Sequence, residues 1–306
     1  KSLIDIGDPL LEKFWYGSHY IMACCSRSKA FPPGLFGNFI TTDEPAWAGD
    51  YHLNYNHQAP WWGVYSSNRV ELSEPYDTPI IQYINRAKEN ARRFLNCRGV
   101  YYEVGIGPKG LNTSMIKNRY EDGHLFCGQK SNASYCAVNM LMRFYHTYDI
   151  EYARNIAYPF LVEVANFWED YLVFENGRYI IYKDCVKEVP VWDDESANKN
   201  ELKGFNDMNP IISLGLIRAV FKGVLDISKE LGIDEERYEK WKHILAYISE
   251  FPIFVKNGTK VFRQTESGNE WETNNTLEVQ HIWPAGAIGL ETSSHLVGIA
   301  KNTITA

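Results

Sequence analysis

The segment from Ile211 to Leu231 is apolar on nearly every side as far as Leu225. A helix with such a surface has to be buried all round, and the core of a large helical domain provides that environment. The next segment, Asp234 to Glu250, carries charge on one face and aromatic or aliphatic side chains on the other. The sequence therefore predicts an inner helix followed by an outer one.

This arrangement repeats along the chain. Asn56, Asn132 and Asn209 each stand near the start of a pair of helices, at spacings of 76 and 77 residues. In each unit a long loop leads to an inner helix, and a charged outer helix with Trp or Tyr follows. Repetition at a fixed period indicates a repeated supersecondary unit. We therefore predict an all-α toroid of inner and outer helix pairs, with long loops and short β-hairpins at the end where a ligand binds.

Local patterns predict the remaining elements. Apolar residues at three-to-four spacing predict helices over residues 9–26, 60–67, 79–96, 132–148 and 158–172. A hairpin is predicted over residues 174–182, because Asn176-Gly177 is a typical type I′ turn sequence. A short strand is predicted at residues 99–104. The length fits a single domain over residues 1–306, either a whole catalytic domain or a large part of one.

Composition narrows the classes of partner. The net charge is −7 and there is no basic block, which argues against a nucleic-acid surface. No apolar run is long enough to cross a bilayer, so no membrane partner is expected. The 9 Trp and 20 Tyr residues favour a carbohydrate ligand, although a Trp-rich helical core has the same composition. The oligomeric state is not predicted.

The cysteines do not indicate a metal site. None of the six forms a Cys-x-x-Cys pair or lies at zinc-finger spacing from histidine. Most lie among apolar neighbours, as small buried residues do, and this slightly favours a reducing compartment. We predict no metal and no cofactor. The chain opens on Lys1 without a signal peptide, so we expect a soluble protein, cytoplasmic or secreted or periplasmic after processing.

The stretch from residue 47 to residue 62 carries an acid, amides, imidazoles and aromatic rings just before a predicted helix. Aromatic rings stack on the apolar faces of sugars, and amides and carboxylates hold sugar hydroxyl groups. The candidate substrate-binding residues in this stretch are Trp47, Asp50, His52, Trp61 and Trp62. The amides of Asn54 and Asn56 are suited to holding a water molecule or a carboxylate. The alternative is a well hydrogen-bonded loop whose asparagines cap the next helix.

In a toroid, three further loops reach the same end of the cavity, at residues 120–132, 191–207 and 271–284. Glycoside hydrolysis needs one protonated carboxylic acid and one base or nucleophile. Glu195 is the candidate acid, because Asp193 and Asp194 beside it raise its pKa by like charge. Asp194 is also a candidate for substrate binding. The alternative for this acidic triplet is a solvated loop.

Glu278 is the second candidate catalytic carboxylate. It lies between Leu277 and Val279, and a carboxylate in apolar company is either paired structurally or functional. His281 and Trp283 follow closely and are candidate substrate-binding residues.

Two motifs resemble those of glycoside hydrolase family 95 and its six-hairpin relatives. Residues 52–58 with Trp61-Trp62 are similar to the family's Asn-Ile-Asn-x-Gln-x-Asn-Tyr-Trp stretch. Residues 280–286 are similar to its histidine-rich turn ending in Tyr-Pro-Gly. The resemblance spans roughly Phe36 to the C-terminus. It implies an (α/α)6 barrel and inverting hydrolysis of a sugar such as an α-L-fucoside or α-L-galactoside.

The resemblance also implies roles for single residues. Asn54 and Asn56 match the two asparagines that help to activate water. Glu195 matches the acid, although its flanks differ from the family's Ser-Pro-Glu-Asn. The family's base is an Asp in a Gln-Ile-Asp-Gly-Asn-Phe-Gly stretch that this chain lacks, and Glu278 is its best substitute.

Three other functions remain as alternatives. A polysaccharide lyase on a similar toroid needs a Tyr and His pair, which Tyr51 and His52 could supply. A toroid that binds carbohydrate without hydrolysing it has the same composition. A terpene cyclase is the weakest alternative, because Asp193-Asp194-Glu195 is not a full aspartate-rich metal motif.

Overall fold

The computed structural model describes residues 3–29, 31–114, 128–186, 207–271 and 276–306. Within them the chain is mostly helical. The α-helices are α1 (Pro9–Cys25), α2 (Trp62–Ser66), α3 (Asp77–Leu95), α4 (Asn132–Thr147), α5 (Ile150–Tyr152), α6 (Tyr158–Tyr171), α7 (Ile211–Leu231), α8 (Tyr238–Tyr247) and α9 (Ser294–Thr305). A π-helical turn, Ala153–Ala157, joins α5 to α6. It precedes Pro159, whose missing N–H and bulky ring disfavour a regular α-helical turn.

Three short antiparallel pairs accompany the helices. They are β1 (Tyr51–His52) with β2 (Gly105–Ile106), β3 (Val173–Glu175) with β4 (Arg178–Ile180), and β5 (Ile253–Lys256) with β6 (Thr259–Phe262). The last two pairs are hairpins that turn at Asn-Gly, where both residues have positive φ. Such turns match the right-handed twist of the flanking strands.

The helices α4 and α7 form the inner layer. Both are buried along most of their length, and α7 packs against α4, α6 and α8. Gly223 allows α7 to approach α4 closely, because a Cβ there would lie 2.3 Å from Cδ2 of Leu141. By contrast, the only buried residues of α8 are Trp241 and Ile244. The predicted order of inner helix and outer helix is confirmed for the pair α7 and α8.

Most predicted elements are confirmed within one or two residues, and two are not. Residues 99–104 form no strand, and the residues that pair with β1 are Gly105 and Ile106. The helix predicted from Asp234 to Glu250 ends at Tyr247. It stops because Ile248 is extended and forms a bridge with Tyr179 of β4. The first inner helix is also short, a 3₁₀ turn followed by α2.

Two further observations concern the whole described part of the chain. Cys24, Cys25, Cys97, Cys136 and Cys185 are free thiols. None of the described helices combines the length and the apolar character needed to span a bilayer.

Candidate active site

Three aromatic side chains, two from residues 47–62 and one from residues 271–284, meet beside the N-terminal halves of the inner helices. The ring of Trp62 lies 5.7 Å from that of Trp283 and 5.7 Å from that of Tyr55, in edge-to-face contacts. The indole N–H of Trp62 donates to Oδ1 of Asn139 in α4 at 2.9 Å. Trp283 is 55% exposed, so this aromatic wall has a face open to a ligand. The structure thus brings together the predicted loop 47–62 and the predicted loop 271–284.

A small apolar cluster, separate from the main core, underlies the aromatic wall. Its buried members, on which Trp62 packs, are Tyr135, Val138, Val186, Ile212, Leu216, Leu277 and Ala285. The hydroxyl of Tyr135 is buried and has no hydrogen-bond partner among the described residues. Burial raises the pKa of Tyr135 above its ordinary value. Within the described part of the chain, this hydroxyl is therefore an unpaired buried donor beneath the aromatic wall.

The two candidate asparagines have different surroundings. Asn54 is half-buried, and its Nδ2 donates to Oε1 of Gln129 at 3.2 Å. Because the amide nitrogen is held, the side chain has a defined orientation and its carbonyl oxygen is directed away from Gln129. Asn56 is exposed.

Asp50 and His52 form a hydrogen-bonded pair on the approach to Asn54. Oδ1 of the buried Asp50 accepts from Nδ1 of His52, and Oδ2 accepts from Oγ1 of Thr113 at 2.6 Å. A carboxylate on Nδ1 fixes the tautomer of the ring and leaves Nε2 as an acceptor. Gly105 leaves room for this carboxylate, since a Cβ there would lie 2.4 Å from Oδ2 of Asp50.

Glu278 is buried beside the start of α7. Only 3% of its surface is exposed, and Oε1 accepts a hydrogen bond from Nε2 of Gln264 at 2.8 Å. The carbonyl of Gln264 in turn accepts from the backbone N–H of Ile211, the first residue of α7, at 2.8 Å. The carboxylate is therefore held in place relative to an inner helix.

A buried carboxylate, Asp184, ties several loops to the same helix. Its oxygens accept from the backbone N–H of Lys130 at 2.9 Å, that of Cys185 at 2.7 Å and Oγ of Ser213 at 2.8 Å. Lys130 follows Gln129, so this network also fixes the residue that holds Asn54. Burial raises the pKa of Asp184 and lowers that of the neighbouring Lys130.

The candidate acid falls in a part of the chain that the structure does not describe. Glu195 and Asp194 lie outside the described residues. The residues around their segment are described, and Asp184 and Asp207 exchange two backbone hydrogen bonds of 3.1 Å. The carboxylate of Asp207 also accepts from the N–H of Val186 at 2.9 Å and from Asn269 at 3.1 Å. The two ends of the segment are thus joined beside α7.

Three other candidate residues lie away from the aromatic wall. Trp61 is 1% exposed and packs on Tyr76 in the main core. His281 is fully buried between Phe251 and Phe262, at 4.5 and 4.4 Å. In these positions neither side chain can contact a ligand without a change of structure. Trp47 is 64% exposed and lies against Phe36.

The burial of His281 predicts a loss of stability in acid. Burial, and to a smaller extent Arg218, lower its pKa from 6.5 to about 3. In the unfolded chain His281 gains a proton below pH 6.5, whereas the folded chain excludes that proton until about pH 3. We therefore expect the His281 contribution to the free energy of unfolding to fall by about 2 kcal/mol between pH 6 and pH 4.5.

Urea unfolding of the wild type and of His281→Phe across this pH range measures that contribution. The variant keeps an aromatic ring between Phe251 and Phe262 but cannot bind a proton. The stability difference between the two proteins should shift in favour of the variant as the pH falls. A difference that does not change with pH contradicts the prediction.

Sequence reasoning did not find four residues that hold the site: Gln129, Asn139, Asp184 and Gln264. Each acts on a residue from another loop or helix, and no local pattern marks such a partner. As for metals, the described residues include no group of three or more His, Cys, Asp or Glu side chains that could hold an ion.

Known proteins resemble this chain in sequence. This chain is 30% identical over 195 residues to a protein named probable alpha-fucosidase A from Aspergillus niger. The matched residues make up 59% of this chain and 23% of that relative. The chain is 44% identical over 69 residues to the protein of the same name from Aspergillus oryzae. Those matched residues make up 22% of this chain and 9% of that relative. The chain therefore spans less than a quarter of the length of these relatives.

A solved structure resembles it in fold. The structure of a putative kojibiose phosphorylase from human microbiome superposes with a TM-score of 0.59 at 13% identity, over 86% of this chain and 37% of that one. At this identity the likeness shows the fold alone. The family model described as the glycosyl hydrolase family 95 catalytic domain matches residues 5–306. Since this match covers nearly the whole sequence, the chain belongs to glycosyl hydrolase family 95.

Proposed function

We propose that the chain is part of a glycoside hydrolase that cleaves an α-L-fucoside or a similar sugar with inversion at the anomeric carbon. The observation that carries the proposal is the contact between Trp62 and Trp283. It joins the loop of Asn54 and Asn56 to the segment of Glu278, in a chain of family 95. We further propose that the helix pairs belong to an (α/α)6 toroid, a fold supported by the inner helices α4 and α7.

Each group has a role in this proposal. Glu195 is the general acid that protonates the leaving oxygen. Glu278 is the general base, and it removes a proton from the attacking water as that oxygen bonds to the anomeric carbon. Asn54 and Asn56 hold the water on the face opposite the leaving group, which inversion requires. The contact from Gln264 to Glu278 and the contact from Gln129 to Asn54 support these assignments, because both side chains are held before a substrate arrives.

The sugar is proposed to lie against Tyr55, Trp62 and Trp283. Edge-to-face packing fixes these rings relative to one another, and a rigid aromatic surface loses little entropy when a ligand binds. The name of the Aspergillus niger relative supports an α-L-fucoside as the sugar.

The lyase alternative is less well supported. It requires Tyr51 to act together with His52 as acid and base. The hydroxyl of Tyr51 is buried and donates to the carbonyl of Pro32 at 3.2 Å. Burial also raises the pKa of Tyr51, which opposes loss of its proton. Both observations disfavour proton transfer by this residue.

A hydrolysis screen tests the proposal. The chain is incubated with aryl α- and β-glycosides of fucose, galactose and glucose and with fucosylated oligosaccharides, and ¹H NMR records the first anomer released. We expect release of β-L-fucose from an α-L-fucoside. Initial release of the α anomer would overturn the inverting mechanism. Inactivity on every substrate together with tight oligosaccharide binding would favour the alternative of a carbohydrate-binding toroid.

A further inference from the structure

A cavity lies near the C-terminal end of α4, and none of the residues that line it belongs to the aromatic wall. Its volume is about 350 Å³. The residues that matter for its chemistry are Asp77, Gln82, Arg143, Tyr152, Ile81 and Ile156. Arg143 lies about one turn along α4 from Asn139, which holds Trp62 of the aromatic wall, and so roughly 6 Å along the helix axis from that contact.

The guanidinium of Arg143 has more hydrogen-bond donors than its protein contacts use. Its side chain is 17% exposed and lies 4.0 Å from the ring centroid of Tyr152. Its one polar contact within the described residues is an ion pair of 3.5 Å between Nη1 and Oδ2 of Asp77. A guanidinium carries five N–H donors in a planar fork. Most of these donors therefore lack a protein acceptor in the part of the chain that the structure describes.

The carboxylate of Asp77 provides hydrogen-bond acceptors beside the guanidinium of Arg143. Only 7% of the residue is exposed, and Oδ1 accepts from the hydroxyl of Tyr152 at 3.2 Å. A carboxylate can accept about four hydrogen bonds, so acceptor capacity remains after these contacts. The cavity thus offers donors and acceptors at adjacent positions. Two neighbouring hydroxyl groups match this pattern, since each can accept from Arg143 and donate to Asp77.

The charges around the cavity favour a neutral ligand. Burial raises the pKa of Asp77 to about 7, so above that pH its charge opposes the charge of Arg143, and at the rim Lys29 forms an ion pair of 2.7 Å with Glu74. An anion would approach two carboxylates, and a cation would approach two basic groups. The partly buried side chains of Ile81 and Ile156 add apolar surface.

We propose that this cavity is a second carbohydrate site, in which Arg143 and Asp77 bind vicinal hydroxyl groups of one sugar ring. The volume lies at the lower end of the range for small-molecule sites, roughly 300–1,000 Å³, and suits one or two sugar units. The side chains of Ile81 and Ile156 contact the apolar face of the sugar. The site is independent of the proposed hydrolysis, because none of its residues belongs to the catalytic loops.

Methyl NMR can observe the two sites separately. The δ1 methyl groups of Ile81 and Ile156 report on this cavity, whereas that of Ile212 lies in the apolar cluster under the aromatic wall. The chain is titrated in turn with L-fucose, D-galactose, D-glucose, sodium acetate and sodium phosphate. We expect at least one of the sugars to shift the Ile81 and Ile156 signals to saturation, and neither salt to do so.

Matched variants locate the binding. Arg143→Lys keeps the positive charge but removes the planar set of guanidinium donors. Gln82→Trp places a bulky side chain at the entrance of the cavity. We expect each substitution to weaken sugar binding at least tenfold. The exposed Arg154 lies outside the cavity, and Arg154→Lys should leave the affinity unchanged. Trp283→Ala should alter the Ile212 response alone.

Three outcomes would overturn the proposal. They are no saturable shift at Ile81 and Ile156 with any sugar, shifts there with acetate or phosphate alone, and equal weakening by Arg143→Lys and Arg154→Lys. Gln82 is exposed, and Gln82→Trp removes one hydrogen bond, from the backbone N–H of Lys109 at 2.7 Å, so far-UV circular dichroism of this variant checks that the fold is intact. Retention of full sugar affinity in this variant would also overturn the proposal.

Discussion

Glu278→Gln is expected to lower kcat by roughly 10²–10⁴-fold on any glycoside that the chain hydrolyses, with little change in KM. The amide has nearly the same shape as the carboxylate and can still accept the hydrogen bond from Gln264. It cannot take a proton from water, so the variant loses the chemical step and keeps the binding surface. Steady-state kinetics on the wild type and the variant measure this difference.

Glu270→Gln is the matched control. Glu270 lies close to Gln264 in sequence, but its side chain is 60% exposed and pairs with Arg263 at 3.1 Å. The same chemical change at this position should leave kcat within about twofold of the wild type, because exposed ion pairs contribute little. If both variants lose activity equally, or if Glu278→Gln retains it, Glu278 is not the base.

Asp184→Ala is expected to lower the free energy of unfolding by about 3–5 kcal/mol. The substitution removes the acceptor of three buried donors at once, on Lys130, Cys185 and Ser213. It also takes a counter-charge from the buried ammonium of Lys130, which lies about 6 Å from the rings of Tyr101 and Tyr171. Urea unfolding followed by far-UV circular dichroism measures the loss.

A surface aspartate supplies the comparison. Asp226 is 34% exposed, forms an ion pair of 2.6 Å with Lys222 and accepts from the hydroxyl of Tyr145 at 2.7 Å. Asp226→Ala should cost about 1–2 kcal/mol, because solvent screens the ion pair and a single hydrogen bond is lost. An equal loss in the free energy of unfolding of the two variants would contradict the prediction, because Asp184 would then stabilise the fold no more than Asp226 does.

The parts of the fold that were predicted correctly depend on local signals. The bounds of α7 follow from its apolar surface, and the turn of the β3–β4 hairpin follows from Asn176-Gly177. The same turn sequence, Asn257-Gly258, lies at the turn of the β5–β6 hairpin. The helix predicted as far as Glu250 ends at Tyr247 through a bridge from Ile248 to Tyr179, 69 residues away, and no pattern around Ile248 indicates it.

In the candidate site too, the sequence motif is a local signal, whereas the contacts that orient its side chains come from residues far away in the sequence. Two adjacent tryptophans mark the loop clearly, yet Trp61 lies in the core and Trp62 on the aromatic wall. The packing of the short helix α2 on α4 determines which of the two tryptophans lies on the aromatic wall. The hydrogen bond from the Trp62 indole to Asn139 holds Trp62 in that position. Such contacts join residues about 75 positions apart, so they come from the assembled helices and not from the motif.

The bridge between Asp184 and Asp207 bears on how chains of this family can diversify. Because the residues at the two ends of the intervening segment bond to each other and to Asn269, the body of the fold does not depend on the segment's length. Lengthening a closed loop adds little entropic cost, about 0.6 kcal/mol for each doubling. We therefore expect the described helical scaffold to tolerate changes in the length of the chain between Val186 and Asp207.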